Sequence, residues 1–186
     1  AKNVPEFIAY AKANPGKVIM ASAGNGSSPH VTGLLFKSMT GLDLKIVHYG
    51  GGGPALKALA EGNAQMMFEP ASAAIKYVKS GKLRALAVTT ERRSAKFPDI
   101  PAMAEFVPGY EASTWNGIVA PIGVPKPIIA KLNAELNKAL ASPALRQRFA
   151  AIVSDPGGGT PEQCGEQIRK EYAKWGEVIR RAGAKI

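Results

Sequence analysis

The sequence predicts an α/β protein with a mostly parallel sheet covered by helices on its faces. Three observations carry this. Amphipathic and apolar runs alternate as helix–strand repeats over residues 5–89, joined by connections of two to six residues. The runs Met66-Met67-Phe68 and Leu86-Ala87-Val88 are apolar throughout, as expected of strands buried on both sides. Two glycine-rich turns, one spanning residues 21–30 and one spanning 49–54, each follow an apolar run and precede an amphipathic one.

The elements follow in order. Residues 5–13 read as a short helix, with Asn3 or Val4 near its cap and Asn14-Pro15-Gly16 as its stop. Residues 17–21 are a strand. Residues 29–39 are a helix with Ser28 as N-cap, Pro29 at the first helical position and Gly41 as terminator. A strand over 44–49, a helix over 54–61 closed by Gly62, a strand over 64–68, a helix over 72–79 closed by Gly81 and a strand over 83–89 complete the repeat. The rhythm breaks after Thr90 in a polar, Pro-bearing connection, followed by a short helix near 102–106 and a segment over 111–120 that becomes apolar. Pro121, Pro125 and Pro127 mark a boundary. Helices are expected over 127–140, from Pro143 to about residue 152, and from a Thr160-Pro161-Glu162-Gln163 capping box to about residue 182. Residues 117–186 therefore offer apolar helical stripes and almost no strand to cover.

Net charge is +10. Residues 126–186 hold eleven Lys/Arg and six Asp/Glu, so the basicity is spread and interleaved with acids, which argues against a nucleic-acid surface. A diffuse positive field still favours capture of anions. No apolar run reaches the roughly 20 residues that a membrane-spanning helix needs. The first residues carry no charged n-region or apolar h-region, as is also true of a mature exported chain. One cysteine excludes an internal disulfide, and two histidines make a histidine-based metal site unexpected. Cys164 recurs with Ile168, Tyr172, Trp175 and Ile179 at helical spacing and reads as a small core residue. No nucleophile elbow, metal motif or base–nucleophile pair is visible, so an enzyme is not expected and no cofactor is implied.

A strand–turn–helix corner aims backbone N–H groups and the positive end of a helix dipole at one spot. Ser22, Gly24, Asn25, Gly26, Ser27 and Ser28 form the first such corner, and Tyr49, Gly50 and Gly51 open the second. Glycine permits close backbone approach, and neutral hydroxyls satisfy a carboxylate. The second corner lacks the Lys and Ser/Thr of a Walker loop. His30, on the first helical turn, reads as structural. Glu69 ends a strand at the carboxyl edge of the sheet, where it either meets a ligand ammonium, hydroxyl or water, or is an exposed strand-end charge. Arg92 and Arg93 have the chemistry to clamp a carboxylate, but their polar loop points to solvent.

The chain resembles the substrate-binding receptors of tripartite tricarboxylate transporters, the TctC-like or Bug family. The matching residues run in order: Asn14-Pro15-Gly16-Lys17, the first corner, His48-Tyr49-Gly50-Gly51-Gly52-Gly53-Pro54, residues 80–89, Pro98-Asp99-Ile100-Pro101, Pro108-Gly109-Tyr110-Glu111-Ala112 with Ser113 and Trp115, and residues 158–163. The resemblance implies a periplasmic-binding-protein-like (class II) α/β fold of two lobes joined by a hinge. The N-terminal part of the first lobe is expected to be missing. On this reading residues 1–116 are a complete ligand-binding lobe. Residues 117–186 are a hinge strand and C-terminal helices of the other lobe, whose uncovered stripes invite self-association. It further implies a periplasmic receptor that captures a small carboxylate anion and passes it to transporter membrane subunits. Ser113 and Trp115 join the two corners and Glu69 as ligand-contact candidates, although Trp115 taken by itself reads as a core residue. An effector-binding domain of a transcriptional regulator sensing an organic acid is the alternative.

Overall fold

The computed structural model describes residues 1–184. Helix α1 (Val4–Ala13) is capped by Asn3, whose Oδ1 accepts from the Glu6 N–H at 2.8 Å. It is followed by β1 (Val18–Ser22), α2 (Ser28–Thr40), β2 (Leu44–His48), α3 (Gly52–Ala60), β3 (Met66–Met67) and α4 (Ala71–Lys79). The three strands form one parallel sheet in the order β2-β1-β3. Val18 to Ser22 pair with Leu44 to His48, and Met20 and Ala21 pair with Met66 and Met67. The chain thus leaves central β1 for β2, then crosses back past β1 to β3.

The period-2 alternation of β1 splits the core into two faces. Val18 and Met20 pack with Val4, Phe7, Phe36, Leu44 and Phe68. Ala21 packs with Ala55 and Ala64, with Ile19, Leu59 and Met67 against them. Helices α1 and α2 cover the first face and α3 the second. Gly33 explains how closely α2 approaches: a Cβ there would overlap Sδ and Cε of Met20. Phe36 meets Phe68 at 5.5 Å and Tyr110 at 6.1 Å between ring centroids, the second pair edge to face. Tyr110 is fully buried, and its hydroxyl donates to the Thr32 carbonyl at 3.1 Å.

Three local expectations are corrected. Residues 83–89 form no ladder; Val88 makes a single parallel bridge to Ala102. β3 spans two residues and offers too short an edge for a fourth strand to extend from. Ser27, not Ser28, is the N-cap of α2, because its extended backbone precedes Ser28 as the first helical residue. Tyr172 and Ile168 are exposed, whereas Val178 is the buried residue of the last helix, so the inward stripe there is rotated from the expected one.

The described chain folds as two compact units, Ala1–Thr114 together with the stretch from Trp175, and Trp115–Lys174. The second holds α5 (Lys126–Ala141), α6 (Pro143–Ala151) and most of α7 (Pro161–Arg181). Asn133 and Asn137 on α5 both donate to the Gly159 carbonyl, and Asn137 Oδ1 accepts from the Gly159 N–H at 2.9 Å. The expected capping box is present: Thr160 Oγ1 accepts from the Gln163 N–H, and Gln163 Oε1 from the Thr160 N–H. Residues 111–121 belong to no strand, and Ile118 and Val119 are 73% and 78% exposed. Ile128 and Leu132 are also half open. Among the described residues no helix is long and apolar enough to cross a membrane.

Candidate functional site

The carboxyl end of the sheet gathers most of the candidate residues. β1 ends at Ser22, which is fully buried although polar. Its hydroxyl donates to the Gly24 carbonyl at 3.0 Å and accepts from the Gly24 N–H at 3.3 Å. It also lies 3.2 Å from His48 Nδ1 and 3.4 Å from Ser27 Oγ. Ser27 Oγ donates to the same Gly24 carbonyl at 2.7 Å. Both hydroxyls therefore serve the turn itself. Gly24 and Gly26 hold φ of 135° and 72°, where a side chain would be strained. Asn25, Gly26 and Ser28 are exposed on the outer side of the turn. Ser28 opens α2, where the first N–H groups lack acceptors within the helix.

His30 is structural, as expected. It is buried, and its Nδ1 accepts from the Gly26 N–H at 3.0 Å, locking the turn onto α2. Its ring stands edge-on to that of His48 at 4.7 Å. Burial, and secondarily the neighbouring His48, push its pKa below the ordinary value.

The second corner lies beside the first. The Tyr49 N–H donates to the Ser22 carbonyl at 2.9 Å, and a Cβ on Gly24 would stand 3.9 Å from the Tyr49 carbonyl oxygen. Gly50 is exposed, and Gly51 (φ 131°) is the N-cap of α3. Glu69 follows β3 and reaches the first turn of α3: a Cβ on Gly52 would lie 2.7 Å from its Oε1. Its Oε2 is the one buried side-chain nitrogen or oxygen among the described residues without a hydrogen-bond partner. Burial raises its pKa.

The remaining candidates sit elsewhere. Ser113 is exposed, and its hydroxyl donates to Glu111 Oε1 at 3.1 Å. Trp115 is 39% exposed in the second unit, flanking Gly117, where a Cβ would lie 3.0 Å from its Cζ3 and 3.8 Å from Cys164 Sγ. Arg93 does clamp a carboxylate, but one of its own chain. Its Nε and Nη2 donate to Glu105 at 2.8 and 2.7 Å. With the Ala102 N–H also donating, the Glu105 carboxyl falls to about 2.

Sequence reasoning gave His48 no role, and it placed Gly52 in the second turn without the approach of Glu69. The strand register that sets His48 opposite Ser22 is the signal that finds the first, and the reach of Glu69 finds the second. The described residues contain no group of three or more His, Cys, Asp or Glu suited to a metal.

The family model for tripartite tricarboxylate transporter family receptors matches residues 1–184. The protein BugT of Bordetella pertussis is 39% identical over 181 residues, covering 97% of this chain and 56% of its own length. An R. palustris protein solved with adipate superposes with a TM-score of 0.91 at 34% identity, over 98% of this chain and 62% of that one. MatC from Rhodopseudomonas palustris, solved with bound malate, gives 0.83 at 31% identity, over 96% and 62%. The periplasmic binding protein BugD gives 0.87 at 30% identity, over 100% and 63%. The α/β fold is thus part of the periplasmic-binding-protein fold, and the chain spans little more than half the length of most of the curated relatives it matches. On the family match and on these likenesses, the chain belongs to the tripartite tricarboxylate transporter family receptors.

Proposed function

We propose that the full-length protein is an extracytoplasmic receptor that captures a small carboxylate anion and delivers it to the membrane subunits of a tripartite tricarboxylate-type transporter. The observation that carries this reading is the pairing of two glycine corners at one end of a parallel sheet, each opening a helix. Each corner sits at a helix N-terminus, which favours a negative group, and the N-terminus of α2 is the one that takes the solute's carboxylate. Adipate and malate in two structural relatives support the ligand class. The holding groups are the exposed backbone at Ser28, with the first N–H groups of α2, and the exposed backbone at Gly50. Ser22 and Ser27 act by shaping the first turn. Residues 1–116 supply this binding lobe. Residues 117–186 are a hinge segment and C-terminal helices of the other, incomplete lobe.

Each hydrogen bond to a charged group contributes about 1.5–3 kcal/mol, so three or four reach the roughly 8 kcal/mol of micromolar binding. The test is a thermal-shift screen of the full-length gene product against mono-, di- and tricarboxylates. A ligand at 100 times its dissociation constant adds about 2.7 kcal/mol of stability. A flat response across the whole acid set rejects the proposal.

A further inference from the structure

Glu69 is out of keeping with an anion site. It places a carboxylate at the first turn of α3, where the second corner was expected to receive a solute's negative charge. Its register explains the direction it takes. Met66 packs with the α2 face, Met67 with the α3 face and Phe68 with the α2 face again, so residue 69 points to α3. Gly52 leaves the space for it, since a Cβ there would stand 2.7 Å from Oε1. Yet no described group donates to Oε2, although that oxygen is fully buried.

A buried acceptor without a donor is costly, and native proteins pair nearly all of them. The position of this one matters. In a parallel sheet ordered β2-β1-β3, the strand order reverses between β1 and β3, and open α/β sheets bind solutes outside the carboxyl ends of the strands at such a reversal. The first corner follows β1 and Glu69 follows β3. One end of a solute at this reversal therefore faces the N-terminus of α2, and the other a carboxylate lacking a donor.

We infer that Glu69 is a specificity-determining residue, and that the solute is a carboxylic acid bearing a hydroxyl or ammonium group that donates to it. This rests on the carboxylate-receptor reading above. The two corners are then unequal. The first takes the solute's carboxylate, and the second, occupied by Glu69, takes a hydrogen-bond donor and repels a second carboxylate.

The test is titration calorimetry on the full-length gene product with two matched series, propionate–lactate–alanine and succinate–malate–aspartate. In the native protein the hydroxy or amino acid of at least one series binds about tenfold or more tighter than its unsubstituted parent, as expected when a buried acceptor is otherwise left unpaired. Glu69→Ala closes that gap. Gly52→Ala, which keeps Glu69 but drives its carboxyl aside, narrows it too. Three results overturn the inference: parents that bind as well as their substituted partners, a gap that survives Glu69→Ala, or parent binding that tightens as pH falls, which would mean that Glu69 brings its own proton. If no acid of either series binds and the wider carboxylate screen is also flat, the receptor reading falls and takes this inference with it. If acids bind without discrimination, only the inference falls.

Discussion

Replacing Ser22 by Ala separates a hydroxyl that builds the first corner from one that holds a solute. Four groups surround Ser22 Oγ within 3.4 Å, but their fates on its removal differ. The Gly24 carbonyl keeps the Ser27 hydroxyl at 2.7 Å. His48 is exposed and turns to water. The Gly24 N–H, half-buried, is left with no donor–acceptor pair from this set. One orphaned amide, rather than four lost bonds, sets the cost at about 1–2 kcal/mol. For a domain of this size each kcal/mol lowers the melting midpoint by roughly 2–4 °C, so a fall of about 2–8 °C is expected. Differential scanning calorimetry reads it. The Ser22→Ala, Ser27→Ala double variant strips the Gly24 carbonyl of both hydroxyls and loses more than the sum of the singles. An unchanged midpoint with a clear loss of carboxylate affinity refutes the reasoning, because the hydroxyl would then be serving the solute.

Three further outcomes are expected. Gly33→Ala gains about 1 kcal/mol of helix propensity but overpacks fully buried Met20 at about 1–3 kcal/mol, so urea midpoints fall; in a Met20→Ala background the same change raises them. His30 has a depressed pKa, so the unfolded chain takes up protons more readily. The stability this histidine lends is complete above its unfolded value near 6.5 and is lost as pH falls through its lower folded value, and His30→Gln flattens that part of a pH–stability curve. Exposed Ile118, Val119, Ile128 and Leu132 drive the 186-residue chain to associate at micromolar concentration, and Ile128→Lys with Leu132→Lys lowers the mass measured by light scattering.

The repeat of helices and parallel strands was legible because each element carries its own local signal. Asn3 caps α1, Gly41 ends α2 with a left-handed backbone, and Thr160 and Gln163 cap α7 reciprocally. Caps and glycine turns depend on residues within four positions of each other, so the one-dimensional pattern contains them. The fourth strand was not legible in the same way. Leu86-Ala87-Val88 is apolar enough for a ladder, but a ladder also needs a partner edge, and two-residue β3 does not extend one. Arg93 shows the same limit: its loop reads as solvated, while Glu105, twelve residues on, turns it into a bidentate clamp.

The chain's chemistry divides along that line. By itself the sequence determined two glycine corners at strand ends and a family pattern running through them, since backbone N–H groups and positive φ need only glycine and a helix start. Tertiary structure decided which polar groups remain for a solute. Packing turned Ser22 and Ser27 onto Gly24 and His30 onto Gly26, and it carried Glu69 across to Gly52 with an oxygen unpaired. Hydrogen-bond satisfaction depends on neighbours brought together from distant positions, and no spacing along the chain encodes it.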